Sequence, residues 1–241
     1  MEGDGAPLKD ARREPNFLLA RFELRALPWL ARRLPARVLP DHLTFLGIIA
    51  AFGIGACYVL CNEDAAWLWA ASALLVVHWL ADSLDGTLAR VRKIERPRYG
   101  YYLDHLTDAL ATVVIGMGLG LSPYMLLASG LAVVIVYLVL SINVYLETFA
   151  FGTFSLGYGR LGPTEGRLAL IAVNVALALG AGLDFRVEGL GVTVLDVAVL
   201  GIAGLMGALL LARTLRNLRQ LAAQEPAARP TGVLRSAAPR G

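Results

Sequence analysis

Long apolar stretches alternate with short polar connections along most of this chain. Six can be marked, at about residues 43–61, 66–84, 100–121, 125–148, 168–183 and 190–212. A bilayer core is crossed by roughly 20 apolar residues in a helix, so the pattern predicts six transmembrane helices. The third and fourth are separated only by Ser122, Pro123 and Tyr124, a tight turn. Residues 16–40 read differently. Phe17, Phe22, Leu27, Trp29, Leu30 and Leu34 alternate with arginines at roughly helical spacing, interrupted by Pro28 and Pro35. Such a segment lies along a membrane surface. The expected organisation is a polar start (1–15), an amphipathic interfacial helix (16–40), a six-helix membrane domain (41–215) and a basic disordered tail (216–241). The fold class is all-α and polytopic.

Composition agrees with the pattern. Hydrophobic residues are 57% of the chain and charged ones 17%, against about 45–50% and about 25% in soluble domains. A cytosolic enzyme, a disordered chain and a disulfide scaffold are excluded together, and no nucleic-acid partner is expected. Cys57 and Cys61 sit inside an apolar run as small hydrophobes. Net charge is only +3, so placement matters more than the sum. Basic residues collect before the first stretch, between the second and third (Arg90, Arg92, Lys93, Arg96, Arg98), between the fourth and fifth (Arg160, Arg167), and in the tail. The other connections hold Glu63 and Asp64, or Asp184, Arg186 and Glu188. By the positive-inside rule both termini and all basic loops are cytoplasmic. Lysine is limited to Lys9 and Lys93. This arginine-heavy usage suggests a GC-rich, bacterial source and hence an inner membrane.

The informative charges are acidic. Asp82, Asp85, Asp104 and Asp108 lie in or at the edge of the second and third stretches. A carboxylate near the centre of a membrane helix costs roughly 2.5–3.5 kcal/mol on insertion scales. Four are kept only where something offsets them. The first two are three residues apart and the second two four apart, so each pair shares a helix face. One helix enters the basic loop and the other leaves it, so the pairs converge at similar depth. Hard oxygen donors gathered this way suit Mg²⁺ or Mn²⁺, and two ions can clamp a phosphoryl displacement. Gly86 and Gly100 let a ligand approach backbone, Ala89 keeps that face narrow, and Arg90 supplies a fork for phosphate. The rival readings are packed structural aspartates, a divalent-cation transporter or a membrane scaffold. His78 and His105 could extend the ligands toward zinc, though His105 points away from its neighbour Asp104.

The pattern Asp82-x-x-Asp85-Gly86-x-x-Ala89-Arg90, nine residues, Gly100-x-x-x-Asp104-x-x-x-Asp108 resembles the signature of the CDP-alcohol phosphotransferase family at all eight positions. The resemblance implies an enzyme of phospholipid synthesis. It would move a substituted phosphate from a CDP-linked donor, CDP-diacylglycerol or a CDP-aminoalcohol, to an alcohol acceptor with release of CMP. It implies two ions on Asp82, Asp85, Asp104 and Asp108, with Asp108 also the general base, and a homodimer among membrane lipids. It implies CDP contacts at Gly86, Ala89, Arg90 and Gly100. The family often shows Pro-Asn-x-Leu-Thr before the first span. Here Pro40-Asp41-His42-Leu43-Thr44 keeps Thr44 as a CDP contact and departs at Asp41. Glu147, Gly152, Thr153 and the stretch Gly162-Pro163-Thr164-Glu165-Gly166 are similar to the choline/ethanolamine branch, whose usual histidine is Ala150 here. Glu147, Glu165, Arg160 and Arg167 are therefore acceptor-site candidates, with capping or ion pairing as the alternative role for the two glutamates.

Overall fold

A computed structural model describes residues 20–151, 162–181 and 191–225. They form seven helices: α1 (Ala20–Arg33), α2 (Pro40–Leu60), α3 (Trp67–Arg92), α4 (Pro97–Gly120), α5 (Leu127–Phe151), α6 (Pro163–Ala178) and α7 (Val194–Gln224). Among the described residues, a helix covers most of each of the six expected spans. Four of them, α2, α3, α5 and α7, are long and apolar enough to cross a membrane. α4 carries Arg98, Asp104, His105 and Asp108 in its first half, and α6 has only 16 residues. Many outward side chains are apolar, among them Phe45, Phe52, Ile135, Leu205 and Leu211. An apolar exterior of this extent belongs in lipid.

Local chemistry sets the helix ends. Pro40 opens α2 and Pro97 opens α4, where the missing N–H is not needed. Lys93 closes α3 in the left-handed region, φ 56° and ψ 41°. Thr193 caps α7 and exchanges bonds with Asp196, whose other oxygen accepts the Leu126 amide at 2.9 Å. One buried carboxylate thus ties the starts of α5 and α7.

Two expectations are corrected. α1 runs through Pro28 rather than breaking there. The carbonyl that loses its partner belongs to Leu24, which is exposed and open to other donors. α7 continues to Gln224, so helix extends into the stretch expected to be disordered tail. The uninterrupted run of Leu, Arg and Ala favours this. The start (1–15) and the end of the tail lie outside the described residues.

α2 packs on α3 and α4, α5 on α4 and α7, and α6 and α1 on α3. The main core joins Ile54 and Tyr58 of α2, Leu68 and Leu75 of α3, Leu177 of α6 and Leu195 of α7. A second cluster at the other end of α3 seats Leu27 and Ala31 of α1 against Leu43, Leu84 and Leu88. Arg92 fixes the α1–α2 linker by donating to the carbonyls of Leu34 (3.0 Å), Pro35 (2.9 Å) and Val38. Glu23 joins α1 to α3 and α6 by accepting from Trp79 at 3.3 Å and Thr164 at 2.6 Å. α1 therefore braces the end of α3 that bears Asp82 and Asp85.

Glycine sets the closest approaches. A Cβ on Gly118 would stand 2.5 Å from the Cα of Gly55, and one on Gly120 2.9 Å from the Cα of Leu127. These residues are glycine so that α4 can touch α2 and the start of α5. Cys57 and Cys61 are free and buried in the main core.

Candidate metal and nucleotide site

α3 and α4, joined by a short connection, bring the aspartates together. Ligand oxygens of Asp82, Asp104 and Asp108 all lie within 4.8 Å of one another, and all three residues are half-buried. Asp85 is turned toward α2. The Thr44 hydroxyl donates to its Oδ2 at 2.7 Å, and its other oxygen accepts the Gly86 amide. Asp85 still lines the same cavity, together with Thr44, Gly47, His78, Asp82 and Asp108.

Three carboxylates this close repel one another unless cations lie among them. The donor set is all oxygen, and no histidine joins the cluster among the described residues. That chemistry fits a hard divalent cation. One cation is supplied by the protein itself. Arg167 of α6 donates to Asp82 Oδ2 at 2.8 Å, with both side chains largely buried. A buried polar chain on the same face of α6 sets its register. Tyr58 donates to Asn174 at 3.1 Å, and Asn174 to Ser72 at 3.3 Å.

The remaining expected residues divide. Gly86 borders Arg90, whose guanidinium would lie 3.3 Å from a Cβ at that position and donates to Thr87 at 3.1 Å. Gly100 is exposed with nothing within 4 Å of a Cβ, so the space beside it is open. Ala89 is half-buried on the last turns of α3. Asp41 pairs with Arg96 at the surface. Glu147 lies on the far side of α5, held by Arg213 and Asn217 of α7 and by Asn143 at 2.8 Å. Glu165 accepts the Gly162 amide at 2.9 Å and caps α6. Arg160, Gly152 and Thr153 lie outside the described residues.

Two groups at the site carry no motif. His78 is buried one turn before Asp82, and its Nδ1 has no hydrogen-bond partner. Tyr137 and Tyr145 of α5 lie within electrostatic reach of Asp108. Their signal was present as polar residues recurring every four positions in an otherwise apolar stretch.

A family model described as CDP-alcohol phosphatidyltransferase matches residues 37–203. Among curated proteins, cholinephosphotransferase 1 of Danio rerio is 28% identical over 191 residues, covering 73% of this chain and 48% of that protein. CDP-diacylglycerol–serine O-phosphatidyltransferase of Encephalitozoon cuniculi is 30% identical over 184 residues, covering 71% and 46%. The chain spans about half the length of these relatives.

Proposed function

Since the chain belongs to the CDP-alcohol phosphatidyltransferase family, we propose that it is a membrane enzyme that transfers a substituted phosphate from a CDP-linked donor to an alcohol, releasing CMP. The observation that carries this reading is the convergence of Asp82, Asp104 and Asp108 with Asp85 beside them. Asp82, Asp85, Asp104 and Asp108 would hold two Mg²⁺ or Mn²⁺ ions. Bound there, the ions supply charge neutralisation for the diphosphate.

The chain's own groups do the rest. Asp108 takes the proton of the acceptor hydroxyl, whose oxygen attacks the phosphorus distal to cytidine. The bond from that phosphorus to the bridging oxygen breaks, and CMP leaves with the electron pair. Thr44 holds Asp85 in orientation. Arg90 and the open backbone at Gly86 and Gly100 receive the nucleotide half of the donor. Phosphoryl transfer depends mostly on positioning and charge neutralisation, which suits such a site. The basic connections support a site on the cytoplasmic side of six spans, with α1 in the interface.

Asp108→Asn tests the reaction. Transfer should fall by at least about a thousandfold while the protein inserts and folds normally; general-base catalysis alone contributes about 10²–10⁴. CMP release at the unaltered rate would overturn the mechanism.

A further inference from the structure

Asp108 has two unlike sides. Toward α2 and α3 it meets Thr44, Asp82 and Asp85, the groups assigned above to the metal and the donor. The other side is built by α5 and α6. α5 is apolar over most of its length, yet Tyr137, Ser141 and Tyr145 recur every four residues, each half-buried. This spacing puts all three on one face.

That face is turned to α4. The Tyr145 ring meets His105 at 4.9 Å and Tyr101 at 6.5 Å, both edge-on. His105 stacks on Tyr101 at 4.1 Å and stands beside Asp104. Tyr137, two turns along, lies within electrostatic reach of Asp108, Asp82 and Arg167. Ser141 gives its proton to the Tyr137 carbonyl at 3.0 Å and also bonds the Tyr137 side chain. α5 has a second polar face, Asn143 and Glu147, and its fate is different. It closes on Arg213 and Asn217 of α7. One face makes a helix–helix contact, and the other is aimed at the reacting carboxylates.

Resting on the transfer reaction proposed above, we infer that Tyr137, Ser141 and Tyr145, with Arg167, form the acceptor side of the site, and that the acceptor is a small water-soluble polar alcohol. A diacylglycerol offers one hydroxyl on an otherwise ester and alkyl surface. It would leave the polar groups on this face of α5 against hydrocarbon. A polar alcohol pairs with them, and a site built to pair polar groups rejects ligands that lack them. The diacylglycerol then belongs to the donor. A bond forms between the polar alcohol's oxygen and the phosphorus bearing the diacylglyceryl ester. The bond to the CMP oxygen breaks, and the alcohol's proton passes to Asp108.

The test uses the full chain in lipid nanodiscs with Mn²⁺ and two mixtures. The first holds CDP-diacylglycerol with serine, glycerol 3-phosphate or inositol phosphate; the second holds CDP-choline with diacylglycerol. CMP release is expected in the first alone. Tyr137→Phe and Tyr145→Phe keep the rings. Each should raise the KM for the accepted alcohol about tenfold, the effect of one lost hydrogen bond to a substrate. The KM for CDP-diacylglycerol should stay within about twofold of the unaltered value. CMP release in the second mixture, or an unchanged acceptor KM in both variants, overturns the inference and leaves the transfer reaction standing. An intact chain that releases CMP from neither donor overturns the transfer reaction itself.

Discussion

Thr44 is the residue through which α2 reaches the site. Its hydroxyl holds Asp85 at 2.7 Å while the Gly86 amide holds the other oxygen. Losing an outer partner of a metal-binding carboxylate commonly costs 10–100-fold in affinity or activity. Thr44→Val keeps the shape and removes the donor. Mn²⁺ affinity, read by paramagnetic resonance of the purified protein, should fall about tenfold or more. The same affinity in the variant would assign Thr44 to packing alone. Glu147 gives the opposite expectation. Its carboxylate is held by Arg213, Asn217 and Asn143 away from the aspartates. Breaking a buried ion pair from one side costs about 3–5 kcal/mol. Arg213→Ala should therefore lower the unfolding temperature in detergent markedly, while the folded fraction keeps its KM values. The aspartates were legible in sequence because charge inside an apolar run has to be explained. Tyr137 was not, because a tyrosine in such a run equally suits a core or an interface.

At the level of elements, α4 is a helix with two tasks. Its first half presents Asp104 and Asp108, and its second half presents glycines that bring it against α2 and α5. The two halves predict different outcomes for the same change. Gly118→Ala puts a methyl 2.5 Å from the Gly55 Cα, and overpacking of this kind costs about 1–3 kcal/mol. Gly100→Ala meets nothing within 4 Å. It should leave thermal stability unchanged or slightly higher, yet raise the KM for the CDP donor several-fold. If both variants behave alike, Gly100 has no part in binding the nucleotide. In the sequence, Gly116, Gly118 and Gly120 suit close helix approach and plain helix flexibility equally. Gly55 on α2 decides it for Gly118 and α5 decides it for Gly116 and Gly120, because a contact between two helices is not written in either one. The same holds for Arg167, which lies 85 residues from its partner Asp82. The helices themselves were legible, since apolar length and loop charge are local properties. The extension of α1 through Pro28 was not, since it depends on the seat that Leu43, Leu84 and Leu88 give Leu27 and Ala31.

Across the whole molecule α6 is the shortest of the expected spans. Its 16 residues rise about 24 Å at 1.5 Å each, short of a hydrocarbon layer of about 30 Å. Its first turns carry Arg167 into the aspartate site, and Asn174 is buried against Tyr58 and Ser72. A short helix with one polar face inside the protein need not match the lipid along its whole length. If all six stretches cross, Ala181 lies on the side opposite Glu95 and Glu225. All three are exposed, and the native Cys57 and Cys61 are buried, so single cysteines can report on sidedness. In a Cys57→Ala, Cys61→Ala background, Glu95→Cys and Glu225→Cys should react with an impermeant maleimide only from the cytoplasmic face. Ala181→Cys should react only from the other face. If Ala181→Cys is labelled from the cytoplasm, α6 does not cross. The basic connection before α6 would then no longer mark the start of a crossing, and α6 would enter and leave the membrane on the side of the site it serves.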